Sequence, residues 1–131
     1  MIEYRIRFPV DDAQLSTLHA LAFEYQVEVQ PWAARLERHA LTWVGAFSND
    51  LLVGFVQVCW DGGAHAFVLD TAVHPSYGRQ GVGKELVRIA ADESKAAGCE
   101  WLHVDYEPHL MDFYVKVCGF SPTEAALLKL R

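Results

Sequence analysis

The residues best suited to chemistry lie in one stretch, Leu69 to Lys84. Val68, Leu69, Thr71 and Val73 favour an extended backbone, and Pro75 ends the strand by removing a ladder donor. Gly78, Gly81 and Gly83 then let the chain tighten, so that the amides of Arg79, Gln80, Gly81, Val82, Gly83 and Lys84 can converge on one point. A helix opens directly afterwards, and its free N–H groups and dipole favour an anion. A loop built this way is a phosphate cradle.

Two common phosphate sites fail on spacing. A P-loop needs Gly-Lys followed by a hydroxyl residue for magnesium, but here Gly83-Lys84 is followed by Glu85. A dinucleotide fold needs G-x-G-x-x-G after the first strand, with an acid about twenty residues on. Gly81-Val82-Gly83 lacks the third glycine at that spacing and occurs mid-chain.

The elements that must position this loop can be read in order. Ile2, Tyr4, Ile6 and Phe8 alternate with Glu3, Arg5 and Arg7, the period of a half-buried strand closed by Pro9. Asp11 or Asp12 caps a first helix with Leu15, Leu18 and Ala22 inward, and Gln14 stands at the capping-box position after Asp11. Residues 23–30 have no clean period and read as a loop or an irregular continuation. Pro31 suits the first turn of a second helix, 31–40, with Trp32, Leu36 and Ala40 inward. Strands follow at 41–47 and 51–60, the second apolar enough to be covered on both faces. Asp61-Gly62-Gly63 turns the chain into a strand over 64–73. A helix over 81–97 buries Val82, Leu86, Ile89, Ala90 and Ala97, pairs Arg88 with Asp92 on its outer side, and ends at Gly98. A strand over 101–106, a short helix from His109 to Val117 and a last strand over 127–130 complete the chain. The expectation is a single α/β domain over 1–131.

Composition narrows the function classes. The chain has 131 residues, is 52% hydrophobic and carries a net charge of −6, which argues against disorder and against a general nucleic-acid binder. No apolar run is long enough for a bilayer, so no membrane association is expected. The first residues read as a strand rather than a signal peptide. Cys59, Cys99 and Cys118 are odd in number and far apart, which suits a reduced, cytoplasmic compartment. His65, His74 and Cys59 do not have metal-ligand spacing, so no metal is expected.

From Leu69 to Phe120 the sequence resembles the GCN5-related N-acetyltransferases (GNAT). Their signature, Gln/Arg-x-x-Gly-x-Gly/Ala after a strand, is matched by Gly78-Arg79-Gln80-Gly81-Val82-Gly83, with Val73-His74-Pro75 before it and Tyr114, Cys118, Gly119 and Phe120 after it. Gly78 replaces the first signature residue, with Arg79 beside it. The resemblance implies a mixed, mostly antiparallel sheet of six to seven strands flanked by about four helices. It also implies acetyl transfer from acetyl-CoA directly to a primary amine of a small molecule or protein. A non-catalytic acyl-CoA-binding sensor or regulatory domain is the alternative, and a homodimer stays open.

On this resemblance the amides of Arg79 to Lys84 hold the cofactor's pyrophosphate, and the backbone of Ala72 and Val73 pairs with its pantetheine arm. Lys84, Arg79 and Arg88 are candidates for the 3′-phosphate, with a solvated helix surface the other reading of Arg88. An amine base is sought among Glu107, Asp70, His109 and Asp105, with Glu107 first. Asp70 has a competing reading as a buried, paired structural carboxylate, His109 as a helix cap and Asp105 as a surface charge. Tyr114 is the acid candidate for the leaving thiolate, with a core aromatic as its plain alternative. It precedes Gly119 by five residues where the commoner pattern has four, which turns it by about 100° on a regular helix. Phe23, Tyr25 and Trp32, with Glu24 and Glu28, are read as an aromatic and acidic wall for the acceptor, against the plainer reading of core tryptophan and solvated glutamates.

Overall fold

The computed structural model describes residues 1–131. Its strands are β1 (Glu3–Ile6), β2 (Ala40–Ser48), β3 (Leu51–Trp60), β4 (His65–Val73) and β5 (Trp101–Val104). Its helices are α1 (Asp12–Phe23), α2 (Trp32–His39), α3 (Val82–Ala96) and the π-helical α4 (Asp112–Val117). The strands form one sheet in chain order, antiparallel from β1 to β4, and β5 joins β4 in parallel. The mixed, mostly antiparallel sheet is as expected from the sequence, but it has five strands rather than six or seven.

The missing strand is the one expected at 127–130. Those residues take no regular structure, and Leu127, Leu128 and Leu130 are each about 85% exposed. Period and composition can favour a strand, but a ladder needs a neighbour, and none lies beside this segment.

Two apolar layers sandwich the sheet. On one face Val44, Ala46, Val56, Val58, Ala66 and Val68 pack against Val82, Leu86 and Ala90 of α3. On the other, Phe47, Leu52 and Phe55 meet Leu15 and Leu18 of α1 and Trp32 and Leu36 of α2, with Phe8 among them. β3 is buried from Leu52 to Val58, as its unbroken apolar run requires.

Several boundaries move for local reasons. Arg7 takes a left-handed backbone (φ 49°), which ends β1 at Ile6 and sends Phe8 to the face opposite Ile2 and Tyr4. In α1 the Asp11 carboxylate accepts from the Gln14 amide at 2.9 Å, and the buried side is Leu15, Ser16, Leu18 and Ala20, with Ala22 only partly covered. Ala40 begins β2 instead of ending α2. Ala97 is exposed past the end of α3, where Gly98 (φ 98°) turns the chain and the Cys99 amide closes back on Ser94.

Candidate active site

β4 is the strand on which the site is built. It pairs with β5 only from His65 to Val68, opposite Trp101 to Val104, and beyond Val68 the two strands part. From Leu69 to Val73 the β5-facing edge of β4 therefore has no partner. His74 donates its amide to Val53 O on the opposite side, so by strand alternation the Val73 amide points into the opening.

The sheet is also irregular at this point. Phe55 stands opposite Ala72 and Gln57 opposite Leu69, so Asp70 and Thr71 together oppose the single Val56. This is a β-bulge, with Asp70 in the left-handed region at φ 58°. A non-glycine residue there costs of order 1–3 kcal/mol and persists only when its surroundings hold it. Asp70 is held firmly. His19 Nε2 lies 2.8 Å from Oδ1, and Gln57 Nε2 donates to Oδ2 at 2.6 Å.

These contacts belong to a longer chain of polar groups. Cys59 Sγ donates to Gln57 Oε1 at 3.2 Å, so the Gln57 amide is oriented from both ends. At the other end His19 Nδ1 lies 2.5 Å from the Tyr25 hydroxyl. An ionised carboxylate only accepts, which places a His19 proton on Nε2; in the tautomer with Nδ1 bare, that nitrogen accepts from Tyr25. Burial alone would raise the Asp70 pKa. The hydrogen bonds from His19 and Gln57, reinforced by the charges of His19 and Arg35, outweigh it and hold the carboxyl below the ordinary aspartate value. Burial, and then the Asp70 charge, push the Tyr25 hydroxyl up. Tyr25 thus stays protonated and can pass a proton on.

His19 sits among Phe23, Tyr25 and Trp32, with ring centroids at 4.6, 5.6 and 5.1 Å. Trp32 is a core residue, while Phe23 and Tyr25 are half exposed and Glu24 and Glu28 are exposed. The expected wall is therefore an aromatic collar around a histidine. Neither His19 nor Gln57 was singled out from the sequence. The only available signal was a polar residue interrupting an apolar stripe, once in α1 and once in β3.

Below the opening, the signature loop has the expected form. His74 Nδ1 accepts from the Ser76 amide, and a short 3-10 turn over Pro75–Tyr77 leads to Gly81 (φ 79°), the residue before α3. The first backbone bond made by an amide beyond Gly78 is Glu85 N to Gly81 O. The amides of Arg79, Gln80, Gly81, Val82, Gly83 and Lys84 have no acceptor within the protein. A Cβ on Gly83 would come within 3.2 Å of the Phe113 ring, a tight contact where α3 approaches α4. Arg88 is engaged by Glu85 and Asp92 on the helix surface, whereas Arg79 and Lys84 carry exposed, unpaired charges.

Tyr114 is 6% exposed, and α4 explains how it gets there. The Cys118 amide bonds to Phe113 O, five residues back, and the Phe120 amide to Tyr114 O. The π-helical turn absorbs the extra residue between Tyr114 and Gly119, and the Tyr114 ring packs against Tyr106, Phe113 and Phe120 as a core aromatic. Burial pushes the Tyr114 hydroxyl up, and approach to the Thr71 hydroxyl opposes this without completing a hydrogen bond. Thr71 Oγ1 and Trp32 Nε1 are the two buried side-chain polar atoms with no partner. One is adjacent to Asp70 in the bulge and the other belongs to a ring packed on His19, so both orphans border the same site.

The remaining candidates lie apart from this network. Glu107 precedes the 3-10 turn Pro108–Leu110 and His109 lies within it, both exposed and without side-chain hydrogen bonds, and Asp105 is exposed past the end of β5. Burial pushes the Cys118 thiol up, with Lys84 opposing, so it is held in the weakly nucleophilic protonated form.

Residues 10–120 match the model of the acetyltransferase (GNAT) family. The chain belongs to that family. An uncharacterized ycf52-like N-acetyltransferase of Prochlorococcus marinus is 28% identical over 113 residues, 78% of this chain and 63% of the relative. The chain thus spans less than two thirds of the length of the curated relatives it matches. A GNAT-family acetyltransferase of Streptococcus pneumoniae has the same fold, with a TM-score of 0.80, 24% identity and full coverage of both chains. So does the aminoglycoside N-acetyltransferase AAC(6′)-Iy in complex with CoA, with a TM-score of 0.78 and 17% identity over 100% of this chain and 95% of that one. No helix is long and apolar enough to cross a membrane.

Proposed function

We propose that this GNAT domain transfers an acetyl group from acetyl-CoA directly to a primary amine. The observation that carries this reading is the meeting of the six unpartnered amides of residues 79–84 with the unpaired edge of β4. The first is a nest for a pyrophosphate at a helix N-terminus, and the second accepts an extended chain bearing amides. Both fit CoA. Ala72 and Val73 would align the pantetheine arm, and the inward Val73 amide suits the developing charge on the thioester oxygen.

An ammonium with pKa near 10 must lose a proton before it attacks. The relay Tyr25–His19–Asp70 supplies the route. The amine proton passes to the Tyr25 oxygen, the Tyr25 proton passes to His19 Nδ1, and Asp70 orients the imidazole and stabilises it once charged. Tyr114, buried and protonated, is assigned to the departing thiolate. Asp70 thereby acts as a positioning residue through His19, and the exposed Glu107 has no part in the relay. The acceptor meets Phe23 and Tyr25, whose half-exposed rings stand beside Glu24 and Glu28 and suit a cation. The name of the aminoglycoside enzyme favours a small-molecule amine.

The test is thermal unfolding with acetyl-CoA, followed by thiol detection of released CoA across a panel of amines. Wild type should be stabilised and should release CoA with at least one amine. Gly81→Val imposes a side chain at positive φ and should lose the stabilisation. Undiminished stabilisation in that variant would refute the cradle. Stabilisation without CoA release from any amine would instead identify a non-catalytic acyl-CoA-binding domain.

A further inference from the structure

The arginines of this acidic chain are not all neutralised. Arg5 meets Glu3 and Asp50, Arg7 meets Glu93, and Arg88 meets Glu85 and Asp92. Arg35 and Arg38 of α2 meet no carboxylate, although acids outnumber Lys and Arg by 17 to 11. Both stand on one stripe. Pro31, Ala34, Arg35, Arg38 and His39 follow the i, i+3, i+4 spacing of a single helix side and line a cleft of about 240 Å³. Glu37, the only acid of α2, is not among them. The cleft presents two guanidinium groups and an imidazole with no carboxylate to answer them.

This stripe is fixed with respect to the relay. The Ser16 hydroxyl accepts from the Gln30 amide at 2.9 Å, and the Asp12 carboxylate accepts from the Ala33 amide at 2.8 Å. Asp12, Ser16 and His19 follow one side of α1, so the side that carries the relay histidine also anchors the entry to α2. The Arg35 guanidinium lies 4.8 Å over the Trp32 ring, which packs in turn against His19. Gln30 Oε1 accepts from Arg35 at 3.3 Å and steadies it there. Against burial, and after the bonds from His19 and Gln57, the Arg35 charge helps to hold the Asp70 carboxyl low. The cations are thus within electrostatic reach of the relay, while Glu24 and Glu28 accompany Phe23 and Tyr25 where the amine enters.

We propose that the acceptor is an amine that also carries an oxyanion, a phosphate or a carboxylate, and that Arg35 and Arg38 bind this second group while the amine meets Tyr25. The proposal rests on the acetyl-transfer reading and names the class of its acceptor. A planar guanidinium takes two oxygens of either anion in parallel, and two guanidinium groups together balance a phosphate dianion. A polycationic amine would instead meet like charge along α2.

The test uses matched probes: ω-aminoalkyl phosphates of two to six carbons against the corresponding amino alcohols, and ω-amino acids against the corresponding alkylamines. At the best length, CoA release should give a kcat/KM at least about tenfold higher for the anionic member, with the difference in KM. The pair with the larger margin identifies the anion. Arg38→Gln should remove most of that margin and keep kcat/KM for the uncharged counterpart within about twofold. Arg35→Lys, which keeps the charge but loses the planar fork, should reduce the margin less. Equal kcat/KM within every pair, or a margin that survives Arg38→Gln, would overturn the proposal and leave the acetyl-transfer reading intact. If no amine releases CoA, that reading fails, and calorimetry decides the proposal separately. The aminoalkyl phosphate should bind the CoA-loaded protein, at least about tenfold more weakly in Arg38→Gln and equally well in Lys95→Gln on α3. Absence of binding, or equal weakening by the two variants, would show these arginines to be ordinary solvated surface.

Discussion

Two polar networks tie a helix to opposite faces of the sheet. On the α3 face, Arg7 bonds Glu93 at 2.9 Å and the buried Thr42 hydroxyl at 3.2 Å. On the α1 face, Asp70 binds His19 and Gln57, and His19 binds Tyr25. Each joins three elements, and each includes a non-glycine residue at positive φ, Arg7 in one and Asp70 in the other. They differ in what they can do. The Arg7 side chain is 52% exposed while Glu93 is 23% exposed, so the pair is screened from the arginine side, and a guanidinium moves no proton. The His19 and Asp70 side chains are only 15% and 28% exposed, and the network ends in groups that can take or pass a proton. Orphaned polar atoms flank the second network alone. Among polar networks of similar form, shelter from water and unspent hydrogen-bonding capacity mark the one suited to chemistry.

The sharpest way to break this contrast is to disable each network at its carboxylate. Asp70→Asn should lower kcat by at least about a hundredfold, the scale of lost general-base catalysis, while the thermal shift with acetyl-CoA remains. Its residual rate should depend more steeply on pH, as free amine replaces the relay. Glu93→Gln should keep the rate within about twofold and lower stability by about 1 kcal/mol, the upper end for a pair with one exposed partner. Equal losses of rate in the two variants would erase the distinction.

A finer cut comes from Tyr25→Phe, which removes the outer end of the relay but leaves His19 and Asp70 paired. A roughly tenfold fall in kcat is expected, since water can partly replace a lost hydroxyl. An unchanged kcat would place the amine in direct contact with His19.

The smallest effect concerns stability in acid. The Asp70 carboxyl is depressed in the folded state, so its contribution is fully present above the unfolded value of about 3.9 and is lost as pH falls through the lower, folded value. Below about pH 4 wild type should therefore lose stability faster than Asp70→Asn, as measured by denaturant unfolding at stepped pH. Parallel curves would mean that the His19 and Gln57 bonds do not favour the ionised form.

Much of the site could be read because its signals are local. The glycine loop, the strand before it and the helix after it occupy one continuous segment, and backbone amides need no particular side chains to form an anion nest. The helix caps at Asp11 and Gly98, the turn at 61–63 and the buried run of β3 are local in the same sense. The relay could not be read this way. His19, Gln57 and Asp70 come from α1, β3 and β4, and their meeting depends on a one-residue bulge that no period reveals. Strand ends can be located in a sequence and side-chain pairings cannot, so the sequence points first to Glu107, and the pairing of Asp70 with His19 and Gln57 is visible only in the fold.

What the sequence determined alone was therefore the order of the elements up to α4, the glycine-rich loop at residues 78–83 and the family those features resemble. Tertiary structure decided where the sheet opens, because β5 leaves β4 after Val68. It decided the burial of Tyr114, in a π-helical turn that absorbs one residue. It also decided that Leu127–Leu130 has no strand partner within its own chain, although its pattern asks for one. The physical reason is common to all three. Backbone preference acts between neighbours in sequence, whereas pairing, burial and proton relays depend on which distant groups packing brings within about 3 Å.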